Sequence, residues 1–244
     1  FTAAFLVGVW QIAVYALVRH ILLAYPTAAD IVDPAVWLPW LAVIQMGWGA
    51  IFAMSSNRLG QLWGYILLWC YGAAFLVWSL SGEFGTQTMV GLFLVQPLVL
   101  VIVAAGVRML NNRFGENAEY NQFNGVSERM PVTTLAVVAG GLFLLGWPLG
   151  ALFPVRLAML HLAETTQPAV FLWALLFLFV ATLGLIRLLK ALTQPLTEDQ
   201  QLQREPARLL WIMLPLLMIG LILSLNPALL DPITSQIADW MTQL

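Results

Sequence analysis

An arginine follows a run of backbone-breaking residues inside an apolar stretch, and this arrangement could do chemistry. Gly146-Trp147-Pro148-Leu149-Gly150 and then Pro154 interrupt the fifth long apolar run of the chain, and Arg156 comes just after them. Proline lacks an N–H and glycine tolerates reversed backbone, so this sequence predicts a helix broken within a membrane. Broken helices offer carbonyls and amides that bind ions or water, and charged side chains in hydrocarbon are rare and costly. Arg156 is therefore the leading ion-pathway candidate. Its plainer reading is an arginine whose stem lies in lipid while its charge reaches the interface. His161 and Glu164 stand three apart on one helical face and could share a proton, or simply mark a polar helix end. Gln11, Tyr15 and Arg19 share a face of the first apolar run, either as part of a pathway or as a polar stripe against a neighbouring helix.

Signals of soluble enzymes are missing. There is no phosphate-binding glycine loop, no dinucleotide fingerprint and no zinc or C-x-x-C motif. The two histidines, 20 and 161, are far apart in the chain and do not suggest a haem pair. Cys70 is the single cysteine, which excludes a disulfide framework. No catalytic residue, metal ligand or bound cofactor is expected of this chain.

The elements that must position Arg156 are read from composition. Of 244 residues, 61% are hydrophobic and 9% charged, with a mean hydropathy of +0.88. Soluble domains are about 25% charged, so this chain could not cover a globular surface against water. The apolar runs approach the ~20 residues that cross a hydrocarbon core. They predict an all-α membrane protein of about seven spans, at 1–25, 35–54, 61–81, 88–110, 132–163, 167–192 and 207–227. The bundle occupies residues 1–227, and Gly140 and Gly141 permit close helix packing within it. In the tail, 228–244, Ile233, Ile237, Trp240, Met241 and Leu244 recur at helical spacing and predict an amphipathic interfacial segment. Most of the eleven tryptophans mark span ends, as an aromatic belt does. Phe1 lies inside an apolar run without a preceding Met, which reads as the later part of a longer protein.

Charge predicts the orientation. Alternating spans place Arg58, Arg108, Arg113, Arg129, Arg187, Lys190, Arg204 and Arg208 on one side, eight of the ten basic residues. Asp30, Asp33, Glu83, Asp231 and Asp239 fall on the other. The basic side is expected to face the cytoplasm or matrix, with the C-terminus opposite. A net charge of −2 with no basic stripe gives no reason to expect nucleic acid; lipids are the expected surroundings.

With these residues on the page, the chain resembles the antiporter-like membrane subunits of complex I (NADH–quinone oxidoreductase) and the related cation/proton antiporters. The stretch from Gly125 to Leu192 is similar to that family's pattern of G-L-x-x-x-M-P, an apolar run, and G-x-P-P-x-x-G-F-x-x-K. Here it reads Gly125-Val-Ser-Glu-Arg129-Met-Pro131, then Gly146 to Arg156, with Arg156 where the family has lysine. Gln11, Tyr15 and Arg19 look like its K-x-x-x-Y-x-x-x-R stretch. Gly49, Ala50, Ala53, Leu59, Leu62, Tyr65 and Gly72 keep the frame of another family segment.

The resemblance implies the last seven of the family's usual fourteen helices, in a membrane-arm subunit beside other membrane subunits. NADH, quinone and iron–sulfur clusters would belong to those partners. It also implies proton translocation along buried lysines, a glutamate and histidines, and here the sequence departs. Gln11 replaces the first lysine, Arg58 and Gly60 stand at the acidic and basic pair, and the fourth span has no His or Lys. Arginine does not release its proton at ordinary pH, so Arg156 cannot relay one. Three readings stay open: a proton-translocating subunit, a structural scaffold subunit of such an assembly, and a stand-alone solute or ion transporter.

Overall fold

In hydrocarbon every backbone N–H and C=O must find a partner within the chain, and an apolar run solves this most simply as a helix. The computed structural model describes residues 34–80, 82–195 and 208–229, with a few isolated positions outside these ranges. Among the described residues the elements are helical: α1 (Pro34–Ser55), α2 (Leu59–Leu80), α3 (Gly82–Phe114), the short α4 (Val126–Arg129), α5 (Pro131–Leu145), α6 (Phe153–Thr166), α7 (Pro168–Thr193) and α8 (Arg208–Leu225). Proline at the start of α5 and α7 pre-sets the first turn where its missing N–H costs nothing.

The chain is an all-α membrane protein, as its composition predicts. Helices α1, α2, α3 and α7 are long and apolar enough to cross a membrane, while α5 and the apolar part of α8 are shorter. The predicted second, third, sixth and seventh spans fall on α1, α2, α7 and α8, and the fourth on α3, which begins earlier, at Gly82. The fifth divides into α5 and α6 at the expected break. The first predicted span, with Gln11, Tyr15 and Arg19, lies outside the described residues, as does most of the predicted amphipathic tail.

Helix α1 packs against α2 and α7, and α3 against α5. A Cβ on Gly140 would stand 2.7 Å from Val103 of α3, and one on Gly141 2.7 Å from Leu185 of α7, so both glycines admit a neighbouring helix. Outward faces are apolar. Trp37, Leu41, Ile44, Trp48 and Ile51 form an exposed stripe on α1, and Leu172, Leu176, Phe179, Leu183 and Ile186 form another on α7. Such stripes suit lipid or a further helix layer, not water.

The loops at one end of the bundle are stitched together. Arg58 meets Glu119 at 3.8 Å, and the Tyr120 N–H donates to the Asn57 carbonyl at 3.0 Å. Arg187 donates to Asn57 Oδ1 at 2.8 Å and to the Met54 carbonyl near the C-terminus of α1, where a positive charge suits the helix dipole. The Gly125 N–H donates to the Gln194 carbonyl at 2.6 Å. These bonds bring the α1–α2 turn, the 115–125 loop and the end of α7 to one face.

Candidate functional site

The break after α5 has its own hydrogen-bonded cap. Gly146 takes a left-handed conformation (φ 82°). Its N–H donates to the Phe143 carbonyl at 3.1 Å, and the Trp147 N–H reaches back to the Leu142 carbonyl at 3.0 Å. This pair of bonds is the Schellman ending of a helix. A second left-handed residue, Leu149 (φ 71°), turns the chain back. The Phe153 N–H then donates to the Gly150 carbonyl at 2.9 Å, and the Arg156 N–H to the Leu152 carbonyl at 2.9 Å, opening α6. The Cys70 thiol of α2 donates to the Leu144 carbonyl at 3.6 Å. The sequence suggests a break with open carbonyls, but those of Leu142, Phe143 and Leu144 are all engaged.

What the break offers instead is a guanidinium. Arg156 is 2% exposed, among the largest fully buried side chains of the bundle. Gly146 makes room for it, since a Cβ there would collide with Arg156 Cβ and Cγ. Its charged end lies over the indole of Trp69, 4.9 Å from Cζ to the ring centroid, a cation–π arrangement. Nη1 points to Met159 Sδ at 3.9 Å, and the Cys70 thiol is close enough to interact. Nε and Nη2 have no hydrogen-bond partner.

Arg156 is the fourth residue of α6, so about 15 Å of helix separates it from the far end at Thr166. Its side chain is turned onto Trp69 of α2.

A cavity of about 180 Å³ lies beside it. Buried Trp69, Arg156, Met159 and Ala174 line its inner part, and the exposed Pro148, Leu157 and Phe179 line its mouth. Trp147 fixes one wall by donating from Nε1 to Thr182 Oγ1 of α7 at 2.9 Å, while Thr182 donates to the Leu178 carbonyl at 2.8 Å.

The other sequence candidates lie apart from this site. His161 and Glu164 do pair, with Nδ1 and Oε2 at 3.7 Å, but both side chains are exposed. Gln96, next to Pro97 inside the continuous α3, is buried with both side-chain amide atoms unpartnered. Trp69, Cys70, Met159 and Thr182 were not legible as site residues. Trp69 alone carried a hint, a tryptophan in mid-span where a belt residue would be misplaced. Among the described residues, no cluster of His, Cys, Asp or Glu could hold a metal ion.

Fold and site together define a class: among the described residues, a helical membrane bundle with a span broken at a buried arginine. No family model matches the chain, and no curated protein matches it in sequence. Solved structures do match in fold. A chain of the Mrp complex from Dietzia sp. superposes with a TM-score of 0.72 at 17% identity, over 84% of this chain and 48% of that one. A chain of the membrane-bound sulfane sulfur reductase, an archaeal respiratory membrane complex, gives 0.74 at 18% identity, over 84% and 42%. A chain of respiratory complex I from Thermus thermophilus gives 0.70 at 19% identity, over 85% and 45%. The protein spans less than half the length of each. The resemblance to antiporter-like membrane subunits is borne out in the fold.

Proposed function

We propose that this chain is a membrane-arm subunit, or the second half of one, in an assembly like complex I or the Mrp complex. In this reading its described helices act as scaffold, not as a proton path. One observation carries the reading: the membrane-buried charged residues among the described positions reduce to Arg156. A proton path needs groups that release and regain protons near neutral pH, and arginine does not. The likeness of the backbone to chains of the Mrp complex, of an archaeal respiratory membrane complex and of respiratory complex I supports the assembly.

The chain would be a non-catalytic subunit. NADH, quinone and iron–sulfur chemistry would reside in partner subunits, and the stitched basic end would face the cytoplasm or matrix. A second reading, that this half still translocates protons, draws on Arg156 standing beside a cavity at the broken helix, in the family lysine's place.

Proton pumping by the reconstituted assembly in sealed vesicles separates the two. Arg156→Met should leave the rate within about twofold of wild type in the scaffold reading. A loss of about tenfold or more, with assembly intact, overturns it.

A further inference from the structure

We propose that Arg156 and the cavity beside it form a binding site for a small monovalent inorganic anion of the halide class. A buried arginine keeps its charge, and an uncompensated charge in low dielectric is among the costliest features a fold can carry. Compensation within the described chain is slight: a tryptophan face, a thioether sulfur and a thiol. The described acidic side chains, Glu116, Glu119, Glu128 and Glu164, are all exposed, and none pairs with Arg156. Nε and Nη2 remain as two unpartnered donors on a residue that lines the cavity.

The surroundings select the sign and the size. The carbonyls of Leu142, Phe143 and Leu144 that end α5 accept from Trp147, Gly146 and Cys70, and a cation would be repelled by the guanidinium itself. Helix α6 begins at the break, so the positive end of its dipole adds to the field of the guanidinium. The cavity holds about 180 Å³, several times the ~30 Å³ share of one water. That admits one halide with some of its hydration. The other lining residues are apolar or aromatic, so an ion that gives up water easily should bind best. The expected order is iodide over bromide over chloride. This inference stands on the site's geometry alone and holds whether or not the half moves protons.

The test uses the full-length protein in detergent, comparing sodium iodide, bromide, chloride and gluconate at equal ionic strength. Wild type should gain roughly 5 °C in Tm at saturating bromide relative to gluconate, with the stated halide order, and Arg156→Met should gain none. Iodide should also quench the fluorescence component that Trp69→Phe removes, and should do so saturably. Equal Tm in all four salts with linear, unsaturable quenching overturns the proposal. So does a Tm gain that survives in Arg156→Met. If Arg156→Met does not fold, the wild-type halide order and the Trp69 quenching curve decide alone.

Discussion

Two arginines on neighbouring elements show what burial does to the same side chain. Arg187, at the loop end of α7, is exposed, and it bonds both the Met54 carbonyl and the Asn57 amide oxygen. Arg156, at the break, is buried, with Nε and Nη2 unsatisfied and its weight on Trp69. Arg187 has water in reserve and nonetheless finds two protein partners, so it serves the fold. Arg156 is buried with few protein partners, so the fold tolerates it at a cost. A costly feature that a methionine could replace points to something other than stability.

The comparison breaks first at the glycine that accommodates the buried member. Gly146→Ala places a methyl group into Arg156 and forces a side chain into left-handed backbone. It should cost about 3 kcal/mol and be visible as loss of folded protein in thermal unfolding. Next, exchange of the two arginines for methionine should give opposite signs. In gluconate, Arg156→Met should be neutral or stabilising by about 1–2 kcal/mol, because an unpaired buried charge is removed. Arg187→Met should lose about 1 kcal/mol with its two hydrogen bonds. Equal losses from both would mean that Arg156 is satisfied after all.

The smallest effect sharpens the loop side. Tyr120 lies half-way between these regimes, at the stitched end but buried, with its hydroxyl 3.4 Å from Ser56 Oγ. Burial pushes its phenol above the ordinary value of 10.0, although the Ser56 hydrogen bond and the Arg187 charge pull the other way. The folded protein thus holds this proton more tightly than the unfolded chain. The resulting stability is present below pH 10 and disappears as pH rises through the folded pKa. The stability difference between wild type and Tyr120→Phe should therefore stay constant near neutral pH and change only at alkaline pH, with the wild type losing ground.

Much of this was legible in advance for a physical reason. Membrane spans are written in runs of one polarity, so α1, α2, α7 and α8 could be bounded to within a few residues. The break could be placed because Gly146, Pro148, Gly150 and Pro154 disrupt a helix by local chemistry alone. The use made of the break could not be read that way. That its carbonyls are capped depends on a glycine taking one backbone sign, and on a cysteine from α2 reaching Leu144. Trp69 and Thr182 join the site only through packing of α2 and α7, and a uniform apolar pattern says nothing about which of their faces turn inward. The pairing of His161 with Glu164 was visible from spacing, whereas their exposure was not.

The tie between Trp147 and Thr182 has a mechanical meaning. Thr182 and Arg187 lie on the same unbroken helix, about 7.5 Å apart along its axis. The wall of the cavity and the clamp on the end of α1 are thus fastened to one stiff rod, and neither can shift along that rod's axis without the other. A subunit that gripped the basic end and drew α7 by an ångström would move the wall beside Arg156 by the same amount. The loop end is then a handle, and the anion cavity lies at the other end of its travel.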